Sequence, residues 1–298
     1  MKNFLLILVT IIWGSTFFII KDTVGTANEY FIVFGRMLLA AIPMLLFVSF
    51  TNRKSLLNKH AIINGAVLGL LLTISYLAQT VGLKYTSSGH SAFITGGAVI
   101  FVPVIMFVLF REKFSKSDFF SILVVVNGLF LLTYDFNTEI NKGDIITLIT
   151  AVATALHIIL AGQYVRKTDS LPLITYQFIS GSIFSLIGLL ITDFEFVNIP
   201  PMTLYSITYL GLMGTLFCYF VSVWVQKYES SVKVALIFTM EPVFATFFSY
   251  LALRETLSSK EILGMLFILL GVIMYQVLRN KSISSLRIKY KNGFVNGV

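Results

Sequence analysis

Lys84-Tyr85-Thr86-Ser87-Ser88 returns 143 residues downstream as Lys227-Tyr228-Glu229-Ser230-Ser231. The register holds without a gap from 84–128 against 227–271. Ala92, Ile94 and Phe101 meet Ala235, Ile237 and Phe244; Arg111-Glu112 meets Arg254-Glu255; Ser115 meets Ser258; Gly128 meets Gly271. Apolar composition alone produces some of these matches, but not the Lys-Tyr, Ser-Ser and Arg-Glu pairs in one register. The chain therefore reads as two related halves, 1–138 and 139–280, followed by a basic tail, 281–298.

Around these elbows lie long apolar runs. The chain is 57% hydrophobic and 12% charged, where soluble domains carry about 25% charge. Too little charge remains to clothe a soluble surface, so the spare apolar residues are expected to face lipid. A spanning helix needs about 20 apolar residues. Ten runs qualify: 4–20, 30–50, 62–83, 91–110, 119–134, 145–163, 172–192, 203–226, 233–253 and 261–278. Backbone in lipid must satisfy its own hydrogen bonds, which makes runs of this length helices. The expected fold is an all-α integral membrane protein of ten transmembrane helices. Five per half is odd, so the second half enters the membrane inverted. The first run, behind Lys2, resembles a signal peptide with a weak cleavage site at Gly25-Thr26-Ala27. Nine more runs follow, so a retained helix is expected.

Lys and Arg set the orientation. With the N-terminus in the cytoplasm, sixteen of them fall inside and five outside. Both termini are then cytoplasmic, and the loop at Asp193 lies outside. The tail carries Arg279, Lys281, Arg287, Lys289 and Lys291 with no acid. It reads as an anchor against anionic lipid, and no nucleic-acid partner is expected.

Other classes leave no signature. The single cysteine, Cys218, excludes an intrachain disulfide and a cysteine zinc site and reads as a packed thiol. There is no phosphate loop, HExxH, CxxC or nucleophile elbow, so no enzyme, metal or cofactor is expected. A channel would show rings of like charge or a filter sequence. Inverted five-plus-five repeats are instead a plan for alternating access around a midplane site. The expected partners are a small-molecule substrate and the lipid bilayer. An accessory membrane subunit is the residual alternative.

Trp13-Gly14-Ser15-Thr16-Phe17, Arg36, the stretch from Tyr76 through Gly82-Leu83-Lys84-Tyr85 to Phe93-Ile94, Pro103 and Arg111-Glu112-Lys113 mark the first half. Gly211, Gly214, Tyr219, Gln226-Lys227-Tyr228, Glu241-Pro242-Val243-Phe244-Ala245 and Arg254-Glu255-Thr256-Leu257 mark the second. Over roughly residues 4–278 this pattern resembles the EamA branch of the drug/metabolite transporter superfamily. The resemblance implies ten helices in an inverted repeat, a bacterial cytoplasmic membrane, and export of amino acids or related metabolites. Uptake, or a lipid or nucleotide-sugar substrate, stays open beside it. The sequence departs from the family at Ala155-Leu156-His157, where a tryptophan is frequent.

Ionisable residues inside a membrane are functional candidates by default. Glu241 stands about 12 Å into its span and precedes Pro242, which kinks a helix and frees carbonyls. Its counterpart helix carries Gly96, Gly97 and Pro103, and paired interruptions of this kind point to a transport site. The competing reading has Glu241 pin the kink. Arg36 can pair with Glu241 or bind a substrate carboxylate through its planar fork; its alternatives are snorkelling and a structural pair. His157 titrates in the range that suits proton coupling, or simply makes a buried hydrogen bond. Tyr76, Gln79, Tyr176, Gln177 and Tyr219 either line a cavity or join helices. Tyr76 and Tyr219 are again 143 apart and should face one another. Trp13 and Trp224 read as packing residues, Gly65 and Gly69 as a helix contact, and the Arg-Glu pairs as caps.

Overall fold

A computed structural model describes residues 1–112, 115–133, 141–192, 199–253 and 257–295. The Asp193 loop, Lys113 and the Arg254-Glu255 pair lie outside the described residues. The helices are α1 (Lys2–Thr23), α2 (Glu29–Thr51), α3 (Lys59–Tyr85), α4 (Ser88–Gly96), α5 (Ala98–Phe110), α6 (Lys116–Thr133), α7 (Lys142–Tyr164), α8 (Ser170–Ile191), α9 (Pro201–Tyr209), α10 (Cys218–Gln226), α11 (Ser231–Phe238), α12 (Glu241–Leu253) and α13 (Ser259–Val295). A π-helical segment, Leu210–Phe217, joins α9 to α10. Nine helical stretches among the described residues are long and apolar enough to cross a membrane. The run expected at 119–134 falls on α6, 18 residues long.

Polar side chains start the helices where the apolar runs begin. Asn28, Asn58, Ser87 and Ser230 each accept from a backbone N–H of the following turn. Asn141 and Asp144 form a reciprocal capping box at the start of α7. Such caps satisfy N–H groups that no helical carbonyl reaches.

The outer surface is apolar: Phe47, Phe107, Leu190 and Leu270 are all more than half exposed. This inversion of the soluble pattern is what a lipid solvent requires. Inside, buried hydroxyls turn back on their own helices, as Thr73 does to the Gly69 carbonyl and Ser222 to that of Cys218. They need no water. Glycines set the closest helix approaches. A Cβ on Gly69 would stand 2.5 Å from the Gln177 carbonyl oxygen, locking α3 to α8. One on Gly128 would stand 2.7 Å from the Ile268 nitrogen, locking α6 to α13.

Two of the expected spans are not continuous. The run at 91–110 breaks at Gly97, between α4 and α5. The run at 233–253 breaks at Thr239–Met240, between α11 and α12. Gly97 and Met240 are 143 residues apart, so the breaks occupy equivalent positions of the two halves.

Candidate functional site

The two breaks meet at a cavity in the middle of the bundle. Trp13 and Thr16 come from α1, Arg36 from α2, and Ser75, Tyr76 and Gln79 from α3. Thr95, Gly96 and Ala98 flank the first break, while Phe238, Thr239 and Glu241 flank the second. Thr150 and Thr154 of α7 and Tyr219 of α10 complete the wall. Its free volume is about 40 Å³, room for a few waters, so the chamber is narrow.

Arg36 is 1% exposed. Its Nε donates to Thr215 Oγ1 at 3.0 Å, and its guanidinium lies 3.5 Å from the centroid of the Tyr76 ring. Its Nη1 is buried with no hydrogen-bond partner among the described residues. The support is built by the π segment. There Thr215 Oγ1 donates five residues back, to the Leu210 carbonyl, which leaves its lone pairs for Arg36. The Gly214 carbonyl accepts from Trp13 Nε1 at 2.8 Å and from the Tyr76 hydroxyl at 3.2 Å. A π turn displaces the regular hydrogen-bond ladder and so presents such carbonyls to other elements.

Glu241 is the first residue of α12, at the end of a helix dipole that favours an acidic side chain. Among the described residues neither Glu241 nor Arg36 forms an ion pair within 4 Å. The cavity thus holds one cationic and one acidic group that do not pair, among aromatic and hydroxyl side chains. Trp13 stacks edgewise on Phe238 at 4.8 Å and tilts against Tyr219 at 5.2 Å.

Arg36, Tyr76, Gln79, Tyr219, Gly96 and Glu241 all line this chamber. Tyr76 and Tyr219 face one another edge to face at 5.9 Å, as their spacing predicts. Gly97 forms the break itself, Pro242 opens α12 behind Glu241, and Pro103 lies inside α5. The remaining candidates stand elsewhere. His157 sits behind the wall, its Nε2 2.9 Å from Gln177 Oε1 and its ring edge-on to Tyr219. Tyr176 donates to the Leu56 carbonyl near the end of the bundle that carries Met1. Trp13, read from sequence as packing, is a wall residue. So are Thr95, Thr150, Thr154 and Thr239, which resemble any other hydroxyl in an apolar helix.

At the end opposite Met1 a second space of about 420 Å³ opens between α1, α4, α12 and α13. Phe17, Phe18, Lys21, Ser87 and Glu261 line it, and it reaches down to Gly14 and Ala245. There α1 meets α12 so closely that a Cβ on Gly14 would lie 2.6 Å from the Phe244 Cβ. Around this mouth Lys21 donates to the carbonyls of Leu83 and Thr86, Thr86 donates to Asp144, and Lys84 pairs with Glu29.

Known proteins share both the sequence pattern and the fold. An uncharacterized transporter of Archaeoglobus fulgidus is 28% identical over 270 residues, covering 90% of this chain and 83% of that one. The S-adenosylmethionine/S-adenosylhomocysteine transporter of Chlamydia muridarum is 23% identical over 91% of this chain and 90% of its own length. A solved crystal structure superposes with a TM-score of 0.78 at 10% identity, covering 94% of this chain and 98% of that one; this likeness bears on the fold alone. Relatives that are transporters point away from an enzymatic role. The pattern of the EamA-like transporter family matches twice, over residues 1–134 and again over 141–276. With two family units meeting at one buried chamber, this multi-pass membrane protein belongs to the EamA-like transporter family.

Proposed function

We propose that the chain is a secondary transporter that exports a small zwitterionic metabolite, of the amino-acid class, by alternating access. The observation that carries this reading is the separation of Arg36 from Glu241 within one cavity. A buried guanidinium is costly without a partner, and its Nη1 has none. A substrate carboxylate completes it, while an ammonium group on the same molecule meets Glu241. Trp13, Phe238 and Tyr219 would bound the side chain. No cofactor takes part, and a proton is the coupling ion that an acidic cavity residue allows.

In this reading α6 is the tenth span and the halves are inverted repeats. The packing supports it. α1 lies on α12 as α7 lies on α5, and α4 touches α12 as α11 touches α5, the exchange that a pseudo-twofold axis requires. With both termini cytoplasmic in a bacterial inner membrane, the wide mouth at the end opposite Met1 faces outward. The proposed units are 1–138 and 139–280, with 281–298 as the tail.

A second reading follows the Chlamydia muridarum relative, whose name specifies S-adenosylmethionine and S-adenosylhomocysteine. Such a substrate also carries a carboxylate and a cation, and its adenine would use the aromatic wall. Metabolite profiling of medium and cytosol separates the two. Bacteria expressing the wild type are compared with the Arg36→Gln and Glu241→Gln variants at matched membrane levels. Accumulation of an amino acid outside, lost in both variants, is expected. A cytosolic rise of a supplied sulfonium nucleoside would favour the second reading. Equal profiles for all three proteins would reject a role for the pair.

A further inference from the structure

The outward face of α6 carries a feature that the transport path does not use. The helix turns Ser121, Val125, Gly128, Leu129 and Leu132 inward, where Gly128 meets Ile268 of α13. Phe120 and Leu123 on the opposite face are 55% and 47% exposed. Asn127 is exposed on that same face. It stands about 16 Å from the start of α6 at 1.5 Å per residue, close to the middle of a hydrocarbon core about 30 Å thick.

An amide there is out of place. Its Nδ2 donates to the Leu123 carbonyl at 2.8 Å, which satisfies one of the several sites that an asparagine side chain offers. The exposed hydroxyl of Thr208 shows the difference, because its single proton is spent on the Leu204 carbonyl. The fold does not need the amide. The equivalent position in the second half, 143 residues on, is Leu270, 55% exposed.

We propose that this face binds a second copy of the chain, with the two Asn127 amides paired at the centre of a homodimer interface. Three observations select that occupant. An amide is both donor and acceptor, so it complements itself. Two copies inserted in the same orientation present parallel α6 helices, which places their Asn127 side chains at the same depth. Phe120, Leu123, Asn127 and Phe130 follow at intervals of three, four and three, the seam spacing of a parallel left-handed helix pair. A single asparagine at such a seam fixes register and oligomeric state. In lipid, where apolar contact gives little selectivity, interhelical amide bonds hold helices together.

The proposal rests on α6 spanning the bilayer, and the test reads that separately. Leu123→Cys is introduced in a Cys218→Ala background of unchanged yield, and native membranes are oxidised with copper phenanthroline. A disulfide-linked band at twice the chain mass is expected, with no such band for Leu270→Cys on α13. Adding Asn127→Leu should cut the crosslinked fraction by about three- to thirtyfold, while Asn127→Gln should largely retain it. Equal crosslinking with Asn127→Leu, no crosslinking with Asn127 intact, or capture of a different protein would each overturn the proposal. Labelling of Leu123→Cys by a polar maleimide in intact membranes would place α6 in water and overturn it by a different route. Glu241-dependent export would be untouched by that last result.

Discussion

The two broken helices share a register but differ in chemistry. In the first half, Gly96, Gly97 and Ala98 make the break, and nothing charged stands at it. In the second half the same three positions are Thr239, Met240 and Glu241, followed by Pro242. Beside them, α3 runs as one helix of 27 residues, whereas its counterpart is interrupted by the π segment at Leu210–Phe217. The first half therefore supplies the cation and small residues that let helices approach. The second supplies the acid, the displaced carbonyl of Gly214 and the hydroxyl of Thr215. In the proposed reading the repeat builds the chamber, and the differences between its two halves make it selective.

That contrast can be broken at its strongest point. Glu241→Gln should reduce export by about thirtyfold or more, the scale of losing one partner of a buried charged contact. Adding Ala98→Glu, the acid moved to the equivalent position, should not restore it. Flux measured in proteoliposomes at equal protein density decides this, and full rescue by Ala98→Glu would show the halves to be interchangeable. Thr215→Val removes the hydroxyl that holds Arg36 Nε. We expect a rise in KM of about tenfold, as for a hydrogen bond to a charged group, and recovery with Thr215→Ser. Leu72, its counterpart in α3, is fully buried. Leu72→Ala should instead lower thermal stability by about 2–5 kcal/mol with KM little changed.

Smaller effects sharpen the picture. Gln177→Leu leaves His157 without its hydrogen bond, a loss of about 1–3 kcal/mol in stability with a modest change in flux. Loss of flux on the scale of Glu241→Gln would move His157 into the transport path. Arg111 caps α5 with φ 53°, a left-handed position that glycine occupies without strain. Arg111→Gly should relieve about 1–2 kcal/mol of left-handed strain against about 0.4–1 kcal/mol of added unfolded-chain entropy, a slight net stabilisation seen in the unfolding midpoint, and leave flux unchanged. A fall in flux would give that side chain a gating role.

Much of this was legible from the order of residues. The apolar runs located the helices, and the Lys-Tyr and Ser-Ser matches set the register in which both breaks fall. Glu241 and Arg36 stood out because charge within an apolar run has few uses. Their separation was not legible, because whether two charges pair depends on helix rotation. The π segment was hidden as well. Leu210–Phe217 contains no proline, and the partners of its displaced groups, Trp13, Arg36 and Tyr76, lie far away in sequence. His157 is open to two readings from sequence, a titrating path residue or a buried hydrogen bond; its helix turns it toward Gln177 and presents Thr150 and Thr154 to the chamber. A side chain facing the cavity and one facing the next helix differ by a rotation of one residue, which hydrophobicity in a fully apolar helix does not encode.

The carbonyl of Gly214 has a consequence for timing. It accepts from Trp13 of α1 and Tyr76 of α3 at once, so a helix that leaves the π segment takes a buried donor away from its acceptor. Intermediate positions keep neither bond in good geometry and admit too little water to replace them. In the proposed transport cycle the passage between states is then abrupt, with long dwells separated by rapid jumps. A fluorescent pair on α1 and α10, followed one molecule at a time, would record two levels and few values between.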